Sequence, residues 1–215
     1  MNIKFFSAAL GLALTATVMS ASAQKEYKEG VITYTIESPQ GTIDAKTYFK
    51  GDSSAYSMQQ GPADIKFIGT NEGTFFAVLV DVPVASIKKA AIATPAELED
   101  FKSKSPDFTF TPTTETKVIN GFKCKKVTVK DTKSGSNYDA WVTNDITIPT
   151  NMMSTHFKKA GGIPVQFTTL QMGQAININL KSITGDKVPA GIFAIPADFE
   201  KVTISDLKAM GGGGN

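Results

Sequence analysis

Cys124 and His156 each occur once in this chain of 215 residues, and between them they bound its chemistry. A cysteine becomes a nucleophile only as a thiolate, which needs a base or a cation beside it. A Cys124–His156 dyad is therefore the one such arrangement that the composition permits, and nothing in the spacing brings the two residues together. A lone cysteine cannot close an internal disulfide, so Cys124 is either buried or available to a partner, and burial is the simpler reading. Zinc hydrolases need two or three spaced ligands, and no such cluster is present. Nucleophile-elbow, phosphate-loop and dinucleotide-binding motifs are absent as well. The expectation is a non-catalytic protein with no catalytic residue, no metal and no cofactor.

All 22 basic residues are lysines. Arginine's planar fork is the usual instrument for reading phosphate and guanine, so its absence argues against a nucleic-acid partner. The formal charge of +2 falls to +1 without Lys4, which leaves no strong field for an anionic surface. Lys123, Lys125, Lys126, Lys130 and Lys133 crowd one hairpin with only Phe122 beside them, which suits a solvated strand face better than a binding patch. What remains is apolar chemistry. Phe76, Phe108, Met153, Phe157 and Phe167 are the candidates to line a ligand pocket, and Phe101 and Phe157 are also bulky enough to fill one. Met152, Met153 and Met172 suit either an adaptable pocket wall or ordinary core filling.

These residues need elements to position them, and the address of the chain comes first. Asn2-Ile3-Lys4, the apolar run Phe5 to Val18 and Ala21-Ser22-Ala23 have the form of a cleaved signal peptide, residues 1–23. The mature chain then begins at Gln24, exported to the periplasm or secreted. No cysteine follows the cut to carry a lipid, and no later stretch is apolar enough to span a bilayer as a helix. Residues 24–210 read as one domain and residues 211–215 as a flexible glycine-rich tail.

After cleavage the chain holds 22 Thr and 17 Ile against 5 Leu, a balance that favours strands. Glu29 to Ala93 reads as strand after strand with tight turns, hence an antiparallel meander. Phe75 to Val82 is apolar on both faces and should be covered on both. Thr94-Pro95-Ala96-Glu97 is a capping box that opens a helix running to about Lys104. Thr150 to Ala160 is the second helix expected, with Met153, Phe157 and Ala160 at helical spacing and Gly161-Gly162 after it. A short helix follows from about Thr203. Lys123 to Lys130 and Tyr138 to Thr143 form a hairpin about a polar turn, with Gly121 at a bend before it. Gly173 marks another turn, and Pro196 suggests an edge strand.

Lys117-Val118-Ile119-Asn120-Gly121-Phe122-Lys123-Cys124-Lys125-Lys126, followed by Trp141-Val142-Thr143-Asn144-Asp145-Ile146, resembles a domain-of-unknown-function family of exported bacterial proteins. The resemblance extends to Glu29–Tyr34, Lys50-Gly51-Asp52 and Phe193–Pro196, with Phe122 where the family commonly has Tyr. Such proteins look like relatives of the periplasmic lipoprotein carriers. That resemblance implies an incompletely closed antiparallel β-barrel, a curved sheet covered by two or three short helices, and it implies no activity.

Two functions follow as expectations. In the first, the concave face binds an apolar ligand such as a lipid, an acyl chain or an acylated protein. In the second, the chain is an envelope scaffold or interaction module whose core is filled. A cavity lined by Phe and Met favours the first, and a packed concave face favours the second.

Overall fold

The computed structural model describes residues 24–39, 41–171 and 174–211. The expected signal peptide, the Met172–Gly173 turn and residues 212–215 lie outside this set. Alternating β-branched and aromatic residues build the strands. They are β1 (Lys25–Glu26), β2 (Glu29–Ser38), β3 (Gly41–Lys50), β4 (Ser53–Gln60), β5 (Ala63–Thr70), β6 (Phe76–Val82) and β7 (Ile87–Ile92), then β8 (Phe108–Ile119), β9 (Phe122–Asp131), β10 (Asn137–Thr143), β11 (Ile146–Thr147), β12 (Ile163–Gln171), β13 (Gln174–Thr184) and β14 (Glu200–Thr203). Two α-helices join them, α1 (Pro95–Lys104) and α2 (Ile204–Gly211), so Gly211 closes a helix rather than opening a tail. None of the described helices is long and apolar enough to cross a membrane.

Twelve strands form a single curved, unclosed sheet in the order β14-β7-β6-β5-β4-β3-β2-β13-β12-β10-β9-β8. It consists of two meanders, β2 to β7 and β8 to β13, joined where β2 pairs with β13. β1 and β11 pair apart from it. The expected antiparallel pairing holds throughout the large sheet except at its end, where β14 runs parallel to β7. A strand that returns after a long excursion, here residues 93–199, is free to pair either way.

The main core lies on the inner face, with Ile32, Tyr34, Phe49, Val165, Phe167, Ile178 and Leu180 almost fully buried. A second cluster lies on the outer face of the first meander. There Ala55, Ile68, Ala77, Leu79 and Ala90 pack beneath Ile192, Phe193, Ile195 and Phe199. β6 is thus covered on its outer face through Ala77 and Leu79, whereas Phe76, Val78 and Val80 on its inner face stay half-buried, so the cover expected on both faces is found on one. Pro196 sits in the turn-rich segment that covers this second cluster, not on an edge strand.

α1 forms with its capping box intact: Glu97 N–H donates to Thr94 Oγ1 (3.3 Å), and Thr94 N–H donates to Glu97 Oε2 (2.8 Å). The bend at Gly121 is also present, with Asn120 at φ 50° and Gly121 at φ 85° between β8 and β9. Two successive positive φ values are the signature of the tight hairpin turn that matches strand twist.

The expected helix at Thr150–Ala160 does not form. The segment is a chain of turns with one 3-10 turn at Thr155–Phe157. Its backbone closes successive three-residue turns instead, Ser154 N–H donating to Asn151 O (3.1 Å), Phe157 N–H to Ser154 O (2.9 Å) and Ala160 N–H to Phe157 O (2.9 Å), while Asn151 Oδ1 accepts from Met153 N–H (3.0 Å) and Ser154 N–H (3.3 Å) at its start. Two β-branched threonines and the preceding Pro149 add to the preference for turns.

Candidate ligand-binding face

On the inner face of β4 to β7, strand register sets apolar side chains side by side. Met58 lies beside Ile65 and Ile65 beside Val80; in the next row Tyr56, Phe67, Val78 and Ala91 are neighbours; in the third Gly69 faces Phe76. Their rings form a run. Tyr56 stacks on Phe67 at 5.4 Å, Phe67 on Phe76 at 6.3 Å, and Phe76 meets Phe101 of α1 edge-on at 5.6 Å. Ile65, Phe67, Phe76, Val78, Val80 and Phe101 are only half-buried. The first row ends at Lys89, whose ammonium is ion-paired with Glu200 of β14.

The other half of the inner face is occupied by the chain itself. Residues 148–160 lie across it with Phe157 as the anchor, 4.6 Å from Phe167 and 5.6 Å from both Phe108 and Phe110. Met152 N–H donates to Ser54 Oγ (3.3 Å), and the Met152 sulfur rests over Gly69, where a Cβ would stand 3.1 Å from it. This contact marks the border between the filled half and the open one.

The sequence-derived candidates divide along that border. Phe108, Phe157 and Phe167 are buried in the filled half. Phe76 stands on the open half, and Met153 is half-buried in the covering segment. Phe67, Val78 and Val80 belong to the open half and were not among the candidates. The alternation in β5 puts Ile65 and Phe67 on one face, but periodicity does not say which face turns inward.

Cys124 and His156 do not act together. The Cys124 thiol donates to the Phe122 carbonyl (3.4 Å), and burial pushes its pKa up to about 11. The His156 ring stands edge-on to Phe108 at 6.2 Å, and burial, with a smaller push from Lys133, lowers its pKa. At neutral pH both are uncharged. Burial also raises the Tyr56 phenol to about 12 and drives Tyr34 higher, the neighbouring Asn151 side chain offsetting part of the latter. The middle of the inner face therefore carries neutral groups, with charge at its margins in the Lys89–Glu200 pair and in Asp131 at the end of β9, an arrangement suited to burying an apolar body.

Two recesses open on the outer face. The smaller, about 280 Å³, lies around Trp141, Gln166, Thr168, Asn177 and Asn179. Lys117 reaches across it, its ammonium 4.1 Å from the centre of the Trp141 ring and bonded to Gln166 Oε1 (3.0 Å). The larger, about 860 Å³, runs between β3–β7 and the 196–199 segment.

An open sheet that uses its own chain to cover part of its hollow defines a class of half-filled β shells. The chain belongs to the family described as Domain of unknown function (DUF4412), whose model matches residues 29–199, from the first residue of β2 to the last before β14. No curated protein matches it. Among solved structures the chain is similar to that of PNGF-II in a C2 space group, at 13% identity and a TM-score of 0.52, over 85% of this chain and 32% of that one. It thus spans about a third of that protein's length, and at such identity the likeness is one of fold.

Proposed function

We propose that the protein is an exported, non-catalytic binding protein that holds an apolar ligand, a lipid or an acyl chain, on the open half of its inner face. The observation that carries this reading is the half-buried shelf of Ile65, Phe67, Phe76, Val78 and Val80, flanked by Phe101. Contiguous apolar surface left partly in water is costly unless something covers it. Each methylene laid on the shelf would contribute on the order of 0.8 kcal/mol, so a chain of about ten carbons could offset the association cost. The resemblance to lipoprotein carriers agrees with this by analogy of fold alone. Export rests on the charged start, the apolar run and Ala21-Ser22-Ala23, and an intact-mass measurement showing a chain that begins at Gln24 tests it.

Titration of delipidated mature protein with a fluorescent fatty acid tests binding. Saturation in the micromolar range, weakened at least about tenfold by Phe67→Asp, is the expected result. A second reading, a scaffold with a filled core, draws on the way Phe157 occupies the other half of the hollow. Absence of saturable binding to fatty acids, phospholipids and acylated peptides would transfer support to it.

A further inference from the structure

The larger outer recess holds two lysines that the ion pairs of the fold do not use. Among the described residues three lysines are partly buried: Lys66, Lys89 and Lys126. Lys89 is paired with Glu200, and Lys126 with Glu115 and Asp139. Lys66 has no partner, although it lies within the recess. Strand register places it in one row with Ser57 and Lys46, the hydroxyl between two lysines, and Lys46 is unpaired as well. Adjacent strands are about 4.8 Å apart, so the two lysines start about 10 Å apart with a hydroxyl midway. Two lysines flanking a hydroxyl in one row offer the donors to hold one anionic group.

The neighbouring row is acidic. Asp64 faces Asp81 directly across β5 and β6, and Asp81 faces Lys88. Like charges directly opposite repel, and Lys88 relieves only part of this, since it also bonds Asp198 (2.7 Å) and stands 3.7 Å from Asp81 Oδ2. Asp81 Oδ1 is buried with no hydrogen bond. Asp44, the remaining carboxylate of the recess, is taken by Lys181 at 2.6 Å. Tyr48 and Phe199 also line the recess. A donor for Asp81 and Asp64, an anion for Lys46, Ser57 and Lys66, and rings alongside describe one ligand between them.

We infer that this recess binds a hydroxylated anion, the chemistry of an acidic or phosphorylated sugar. Its anionic group lies against Lys46, Ser57 and Lys66, and its hydroxyls donate to Asp81. Its charged groups are on the opposite face of the sheet from the apolar shelf, with only Met58 and Ile65 of the inner row also bordering the recess, and Phe67 does not line it. The test is calorimetric titration of the mature protein at low ionic strength with glucuronate, glucose 6-phosphate, glucose and inorganic phosphate. Either acidic sugar or both should saturate the protein, a carboxylate against a phosphate preference being read from which binds tighter. Glucose should not saturate, and inorganic phosphate should bind at least about tenfold more weakly than the preferred sugar. Lys66→Gln, which breaks no contact of the fold, should weaken the sugar at least about tenfold, and Asp81→Asn should weaken the sugar more than phosphate. Phe67→Asp on the inner face should leave this binding unchanged, which separates failure here from failure of the apolar shelf. The inference is overturned by the absence of saturation with both acidic sugars up to about 10 mM, by phosphate binding as tightly as either, or by full affinity in Lys66→Gln.

Discussion

Gly30 has no room for a side chain: a Cβ there would stand 2.1 Å from the Thr184 carbonyl oxygen and 3.1 Å from the Phe49 ring. The close approach comes where β2 meets β13, so backbone rather than a pliable side chain would have to yield. Gly30→Ala should cost about 2–4 kcal/mol, measured as a lowered urea midpoint at unchanged slope. Cys124 offers a test of opposite character. Burial raises the thiol's pKa in the folded state, so its contribution to stability is complete below the unfolded value of about 8.5 and is lost as pH climbs toward about 11. Urea titrations across that window should show Cys124→Ala losing less stability with rising pH than the parent. That a single cysteine would be buried was legible in the sequence. The closeness of Gly30 to Thr184 was not, because it depends on a pairing between residues 154 positions apart.

At the scale of elements, α1 is written locally and the segment after β11 is not. Thr94, Pro95 and Glu97 act within one turn, so their spacing alone announced the helix. Glu97 does more than cap, since its Oε1 accepts from Ser205 N–H (2.8 Å) and Ser205 Oγ (2.6 Å) and so ties the start of α2 to the start of α1. The Ser205 hydroxyl and the Thr94 backbone hold the Glu97 carboxyl at about 2, below its ordinary range. Its support is therefore full above about pH 4.3 and is lost as pH falls toward 2. Acid titration followed by circular dichroism should find Glu97→Gln less sensitive to pH in that range, while Thr94→Ala should cost about 1 kcal/mol at neutral pH. In residues 150–160 helical spacing was real, with Phe157 and Ala160 both inward. It was overruled as the backbone settled into successive three-residue turns, which set the spacing of the inward residues without an α-helix. Phe157 keeps its importance without the helix. Phe157→Ala should lower stability by about 3–5 kcal/mol and expose part of the filled half, read as increased binding of a hydrophobic dye.

For the whole molecule, alternation and short turns made both meanders legible, and with them the β class and the inner apolar face. The order in which the meanders meet was not legible, since no turn connects β2 to β13. Nor was the division of the hollow, because which ring faces a filled space depends on where residues 148–160 come to rest. The seam between β2 and β13 governs how the fold is reached in time. Within each meander a strand finds its partner a few residues away, so either half can assemble early and alone. The seam pairs Asn177 with Glu37 and Thr184 with Val31, separations of 177 − 37 = 140 and 184 − 31 = 153 residues. Closing so long a loop is slow compared with forming hairpins, and folding rates fall as such distant contacts dominate. Refolding should therefore pass through a species in which hairpin amides are protected from hydrogen exchange while those of β2 and β13 that cross the seam still exchange. Until the seam closes, each half displays a sheet edge and an apolar face to its neighbours. Yield on refolding should accordingly fall steeply with protein concentration, although in the finished protein the edges of β2 and β13 are paired with each other.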